Sequence, residues 1–341
     1  MQQSSSAERG QSAPYASVAV VGAGAWGTAL AIVAAANAER VLVWARESEV
    51  VEAIAKRREN SPFLPGVVLP ACIEPTADIA RVAEAEAVLL VTPAQHVRGV
   101  LSSMRSSLPQ GTPVVLCAKG IETGTGLLLT EVLGQLLPEA EPAILSGPSF
   151  ARDVALGLPT AVTVAARKRI AARLQMSLGG PNFRPYASED LMGVALGGAA
   201  KNVYAIACGM VEGAGLGESA RAATISRGFA ELMRLGGALG ARPETLMGLS
   251  GLGDLVLTAT SMNSRNFSLG VALGRGARLA EVLGAGHPLA EGAPTAPALI
   301  ARAKRQGVEL PIAESVAAVL DGKLSVHEAA EHLLSRPLKP E

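Results

Sequence analysis

A chain of 341 residues exceeds what one hydrophobic core usually serves, so two domains are expected. Apolar residues make up 49%, aromatics 3% and charged residues 18%, which leaves Ala, Val and Leu to pack a largely helical core. Thirty basic and thirty acidic side chains cancel and no basic run occurs, which points away from nucleic acid and acidic membrane surfaces and toward a small-molecule substrate.

Residues 1–15 are polar, rich in Ser and Gln, and lack the apolar stretch of a signal peptide; they read as a flexible extension. From 16 to 188, short β-branched runs alternate with helical patterns, as in βαβ units on a parallel sheet. Strands are predicted at Val18–Val21, Arg40–Trp44, Ala87–Val91, Pro113–Cys117, Ala143–Leu145 and Ala161–Val164. Beyond Ser188 the strand signal ends, and Gly- and Ala-rich helical patterns fill 189–341. The fold class is therefore α/β: an N-terminal doubly wound Rossmann-type parallel sheet with an all-helical C-terminal domain. Two stretches, Ala16–Asn37 without a charge and Leu191–Val211 with only Lys201, pass a crude test for a membrane span. A triple-glycine turn in the first and a central charge in the second suit a buried core better.

The first chemical motif follows the first strand. Gly22, Gly24 and Gly27 stand at G-x-G-x-x-G spacing between a strand and a helix, the context in which glycines let backbone approach a pyrophosphate at a helix N terminus. At the end of the second strand, where an acid commonly holds the ribose of NAD, the chain has Arg46. That residue suits a 2′-phosphate or stacking on adenine, or serves only as a surface partner of Glu47 and Glu49, so the cofactor is NAD or NADP. Ligands collect beyond the carboxyl ends of such strands, where Lys119 and the stretch Ser146-Gly147-Pro148-Ser149 fall; singly, each is also an ordinary turn residue.

Lys201 lies in L-M-G-V-A-L-G-G-A-A-K-N-V-Y-A-I-A-C-G-M-V, a helix apolar on most sides. An ammonium there needs an acidic partner, a lowered pKa, or both, and a lysine lowered to about 7 to 8 carries protons well. Asp254 in an apolar stretch and Thr258 one helical turn later are candidates for its support. Ser264, Arg265 and Asn266 suit a phosphate or carboxylate, since the Arg fork donates two parallel hydrogen bonds; the competing reading is a helix N-cap at Ser264 or Asn263 beside a surface Arg. His327 and His332 are five apart and cannot share a metal on one helix face; Cys72, Cys117 and Cys208 are scattered, with no C-x-x-C pair. No metal site is expected, and a reducing cytoplasm is the expected compartment.

From Ser17 to about His332 the chain resembles the NAD(P)-dependent glycerol-3-phosphate dehydrogenases of bacterial type. The resemblance rests on G-A-G-A-W-G-T-A-L-A, N-S-P-F-L-P-G, C-A-K-G-I-E, L-S-G-P-S-F-A, G-G-A-A-K-N-V, G-L-S-G-L-G-D-L-V-L-T and N-S-R-N-F, in that order. It implies hydride transfer between NAD(P)H and dihydroxyacetone phosphate, giving sn-glycerol 3-phosphate for glycerophospholipids. Lys201 then matches the family's catalytic proton carrier, Lys119 a contact to substrate and cofactor, Gly147 and Ser149 substrate contacts, and Ala151 a neighbour of the nicotinamide ribose. Asp254, Ser264, Arg265 and Asn266 match the substrate pocket, with Arg265 also on the cofactor and Thr258 a polar helper. Gly22, Gly24, Ala25, Trp26, Gly27 and Arg46 match cofactor positions, and Leu289 and Glu291 a late cofactor contact.

Two departures stand out. Ala25 replaces a Ser common in the family, leaving only its backbone N–H for pyrophosphate, and A-P-T-A-P-A after Glu291 is richer in Pro than the family pattern. A homodimer is the general expectation for such enzymes. On residues alone, a dehydrogenase of 6-phosphogluconate or 3-hydroxyacid type and a nucleotide-sensing binding protein stay open, although a sensor has no need of a buried proton carrier.

Overall fold

The computed structural model describes residues 13–283 and 290–337. It divides into two compact units: one comprises the chain up to Ala118 together with Leu129–Val194, the other Lys119–Leu128 and the chain from Ala195 onward. The short segment that begins at Lys119 thus groups with the helical unit, an exchange that strand periodicity does not signal.

The first unit is built on β1 (Ser17–Val21), α1 (Ala25–Ala34), β2 (Arg40–Trp44), α2 (Ser48–Arg57), β3 (Ile73–Thr76), β4 (Ala87–Leu90), α3 (Val97–Met104), β5 (Pro113–Leu116), α4 (Leu129–Leu136), β6 (Glu141–Ser146), α5 (Ala151–Ala155), β7 (Thr160–Ala166), α6 (Lys168–Leu178) and β8 (Phe183–Ser188). The eight strands form one sheet in the order β3-β2-β1-β4-β5-β6-β7-β8. The direction of winding reverses between β1 and β4, the switch point where ligands of open α/β sheets collect. Central strands such as β4 and β5 are buried along their whole length, which is why they read as continuous apolar runs.

Three features differ from the sequence reading. The sheet is mostly but not wholly parallel, because β7 runs antiparallel to β6. Strands β3 and β8 escape prediction because each carries a proline, Pro75 and Pro185, and a charge, Glu74 and Arg184. Both are the sheet's edges, where an N–H can be missing without breaking a ladder. Tyr15, assigned by sequence to the flexible extension, is 2% exposed, and its N–H donates to Ser177 Oγ at 2.8 Å.

Next come α7 (Leu191–Gly213), whose residues up to Val194 still belong to the first unit, and then, in the second, α8 (Glu218–Ala238), α9 (Pro243–Met247), α10 (Asp254–Ala259), α11 (Arg265–Gly274), α12 (Leu279–Leu283), α13 (Gly292–Arg305), α14 (Pro311–Leu320) and α15 (Val326–Leu334). Among the described residues, α7 is the one helix long and apolar enough to cross a membrane, and 94% of that window is buried inside the protein. The other apolar stretch in question divides between β1 and α1. Helices α7 and α11 touch backbone to backbone. A Cβ at Gly209 would lie 2.1 Å from the Phe267 carbonyl oxygen, one at Gly213 2.2 Å from that of Val271, and one at Gly270 2.1 Å from that of Ile206. Only residues without side chains allow this approach.

Candidate active site

In the first unit, β1 ends at Val21 and the chain turns through Gly22, whose φ of +114° is costly for any residue with a Cβ. A Cβ on Gly27 would stand 1.8 Å from the Gly22 carbonyl oxygen, so this position admits glycine alone. Around Gly24, by contrast, the same test finds open space, and Gly24 is the N-cap of α1 with no side-chain cap and no acid in the first turn. The first N–H groups of α1 therefore remain available to an anion, with the positive end of the helix dipole behind them. Ala25 and Trp26 form that first turn, both half-buried. At the carboxyl ends of β4 and β6, the hydroxyls of Thr92 and Ser146 are enclosed without a hydrogen-bond partner. An open glycine cradle, an uncapped helix and orphaned hydroxyls past the strand ends suit a dinucleotide.

Other sequence candidates of this unit are placed as follows. Gly147 comes directly after β6, and a Cβ there would meet the Val162 Cα at 2.8 Å. The Ser149 hydroxyl donates to the Gly147 carbonyl at 3.2 Å, and Ala151 begins α5, which packs on α1. Arg46 is 77% exposed on its side chain and pairs with Glu47 at 2.9 Å, the surface partnership that its neighbours suggested.

One residue that braces the turn from elsewhere in the chain escaped sequence reasoning. Asn60 is wholly buried, and its Nδ2 donates to the Ala23 carbonyl and to Thr28 Oγ1, both at 2.7 Å, tying the α2–β3 connection to the glycine turn. The signal was present in N-S-P-F-L-P-G, where its role lies in a contact |i−j| of 37 that no local pattern reveals. Replacing Asn60 by Ala removes a donor from two enclosed acceptors, at about 1–3 kcal/mol. Nucleotide affinity is expected to fall roughly tenfold; unchanged NADH binding by calorimetry would count against this role.

In the second unit four sequence candidates meet. Lys201, midway along α7, is 6% exposed; Asp254 opens α10 at 1% and Thr258 follows one turn later at 4%. Lys201 Nζ lies 2.5 Å from Asp254 Oδ1 and 2.7 Å from Thr258 Oγ1. Lys119 Nζ takes the other carboxylate oxygen, Oδ2, at 2.6 Å. Thr258 accepts from Lys201 and lies 3.3 Å from Asp254 Oδ1, within reach to donate. One carboxylate thus separates two ammonium groups in a nearly dry setting.

The electrostatics follow from that arrangement. Burial pushes Lys201 down to about 7, with the like charge of Lys119 acting the same way and the attraction of Asp254 only partly opposing them. Burial alone would raise the Asp254 carboxyl, but the two lysines outweigh it and hold it below the usual carboxylate range. A group near 7 exists in both protonation states at neutral pH, which is what proton transfer in either direction requires.

A second chain of contacts joins this cluster to the start of α11. Asn266 Nδ2 donates to Asn202 Oδ1 at 2.9 Å, Asn202 Nδ2 to the Lys119 carbonyl at 3.3 Å, and the Gly292 N–H to Asn266 Oδ1 at 2.8 Å. Asn202 was not singled out from sequence; it neighbours Lys201 on α7, and its role appears only with the fold. Ser264 is buried and caps α11, accepting from the Phe267 N–H at 3.2 Å, so its hydroxyl serves the N-cap. Arg265 is exposed in the first turn of α11 and makes no ion pair among the described residues. Glu291 precedes α13, its carbonyl accepting from Thr295 at 2.6 Å; Leu289 lies outside the described residues.

Comparison with known proteins then gives consistent matches. Residues 17–172 match the family model described as NAD-dependent glycerol-3-phosphate dehydrogenase N-terminus, and residues 190–331 match its C-terminus counterpart. The chain is 57% identical over 328 residues to glycerol-3-phosphate dehydrogenase [NAD(P)+] of Parvibaculum lavamentivorans, covering 96% of this chain and 98% of that one. It is 56% identical over 326 residues to the protein of the same name from Rhodospirillum rubrum, covering 95% and 93%. Among solved structures, glycerol-3-phosphate dehydrogenase from Coxiella burnetii superposes with a TM-score of 0.89 at 37% identity, over 94% of this chain and 99% of that one.

Proposed function

The chain belongs to the NAD(P)-dependent glycerol-3-phosphate dehydrogenases, and from that premise we propose how its residues divide the work. It is an oxidoreductase acting on a CH–OH group with NAD or NADP as cofactor. Bound at the Gly22–Gly27 turn, the dinucleotide supplies the hydride or accepts it. Trp26, Ala25 and Arg46 complete that seat, with Ala151 beside the ribose and Glu291 as a late contact. On the substrate side, Arg265 meets the phosphate with its fork; Gly147 and Ser149 of the first unit and Lys119, Ser264 and Asn266 of the second are assigned as further substrate contacts.

Lys201 carries the proton. In the reductive direction its Nζ gives a proton to the carbonyl oxygen of dihydroxyacetone phosphate as the carbon receives the hydride, and the product is sn-glycerol 3-phosphate. In oxidation the neutral amine takes the hydroxyl proton. Asp254 stabilises the ammonium form against desolvation, and Thr258 fixes the direction in which Nζ points. The observation that supports this reading most is the enclosed Lys201 ammonium on Asp254 and Thr258. The zero net charge agrees with a small-molecule partner and no nucleic acid. In the same reading the enzyme acts as a homodimer in the cytoplasm, and its product supplies glycerophospholipid backbones.

The test is nicotinamide absorbance with dihydroxyacetone phosphate and either NADH or NADPH, followed against pH. Reduction needs the ammonium form, so kcat/KM should be level below pH about 7 and fall about tenfold per unit above it. Oxidation needs the amine, so its profile should rise toward about 7 and level off beyond. Absence of turnover with both cofactors overturns the function; turnover with no such ionisation removes Lys201 from the proton step.

A further inference from the structure

On the amino-terminal side of the sheet, at the ends of β1, β4 and β5 away from the dinucleotide turn, the first unit holds a cavity of about 300 Å³. Tyr15, Glu86, Gln110, Thr112, Arg169 and Arg173 line it. Nothing in the reaction uses these residues.

Their chemistry favours an anion. Helix α6, eleven residues long, starts at Lys168 with no side-chain cap and no acid in its first turn. Its first N–H groups, Arg169 and Ile170 among them, therefore face the cavity end with the positive pole of the helix. One turn on, the Arg173 guanidinium lies 3.9 Å over the Tyr15 ring, pairs with Glu86 at 2.5 Å and donates to the Ala13 carbonyl at 3.1 Å. The Tyr15 side chain is almost entirely buried, yet its hydroxyl has no hydrogen-bond partner. Of the nearby acids, Glu86 pairs with Arg173, and Glu141 pairs with Arg167 at 2.9 Å through Oε1 while its Oε2 is enclosed without a partner. Arg169 lines the cavity beside the helix pole and makes no ion pair among the described residues.

We propose that this cavity is a binding site for a small phosphate-bearing anion, separate from the substrate site. Arg169 and the first turn of α6 would hold the phosphate, and the Tyr15 hydroxyl and Gln110 amide would complete its hydrogen bonds. A volume near 300 Å³ is at the lower end for ligand sites and suits a phosphate or a short phosphate ester. Its occupant would sit at the root of β1, whose far end is the Gly22 turn.

Calorimetric titration of the whole protein with inorganic phosphate at fixed ionic strength tests this. Wild type should take up phosphate at two sites, one lost in Arg265→Ala and the other in Arg169→Glu. The Arg169-dependent site should weaken about tenfold or more, the loss expected for a charge-assisted contact. Arg169→Glu should keep wild-type turnover. Tyr15→Phe, which preserves the ring beneath Arg173, should weaken the same site several-fold and serves if the charge reversal impairs folding. Tighter binding of glycerol 2-phosphate at the Arg169-dependent site identifies an ester as its ligand; equal binding identifies free phosphate. The proposal is overturned if Arg169→Glu titrates as wild type, or if Arg265→Ala abolishes all uptake.

Discussion

Lys201→Met should lower kcat for dihydroxyacetone phosphate reduction by about 10⁴-fold while leaving the protein folded. The magnitude combines loss of a general acid with loss of a cation beside the developing alkoxide, effects of about 10²–10⁴ and 10²–10³ that overlap in a single group. Stability should change little. Burial already disfavours the Lys201 charge enough to bring it to about 7, and Met keeps much of the volume in an apolar helix. Asp254 keeps Lys119 as its partner at 2.6 Å, so no carboxylate is stranded. Nucleotide binding should be near normal, because the glycine turn and its Asn60 brace belong to the other unit. Calorimetry with NADH, a thermal melt and single-turnover kinetics check the three parts; activity within tenfold of wild type would show that another group delivers the proton.

Asp254→Asn should be nearly as damaging, for a different reason. With the carboxylate gone, the Lys201 and Lys119 ammonium groups face one another across a neutral amide. The attraction that opposes burial at Lys201 disappears, so its pKa falls further below about 7. At neutral pH the donor form becomes scarce, and reduction should drop about 10²–10³-fold, with partial recovery on acidification. Oxidation, which starts from the amine, should suffer less. Removing one partner of a buried pair costs about 3–5 kcal/mol when the remaining charge must persist. Lys201 escapes much of that cost by releasing its proton, so the stability loss should be largest at acid pH and shrink as pH rises. An unshifted pH profile in Asp254→Asn would mean that this carboxylate does not set the Lys201 equilibrium.

What the sequence reveals and what it conceals divide by range. The glycine turn, the central strands and the isolated Lys201 are local signals: a spacing, an apolar run, a charge where none belongs. Their placement matches the structure closely, with β2 at Arg40–Trp44 in both. The edges β3 and β8 are concealed because edge strands tolerate the prolines and charges that a pattern search takes as breaks. Asn60 and Asn202 are concealed because each acts through partners dozens of residues away, at separations of 37 and 83. Ser264 illustrates a competition that periodicity leaves open: a hydroxyl fit for an anion is equally fit to cap a helix, and here it caps α11. For Lys201 the physics of burial demands a partner on sequence grounds alone, and Asp254 supplies it.

The glycine contact between α7 and α11 has a consequence for substrate choice. Lys201 rides on α7 and Arg265 opens α11, so in the proposed reading the span between proton carrier and anion fork is set where two main chains abut. At Gly209, Gly213 and Gly270 no side chain is available to be trimmed, because each is already the smallest residue. With the roles proposed for them, the pair would act as a rigid gauge for the distance between a carbonyl and a phosphate along the substrate. Directed evolution toward longer or shorter phosphorylated ketones should find its gains in the loops that carry Lys119 and Ser149, because the gauge itself can only be widened by forcing the two helices apart.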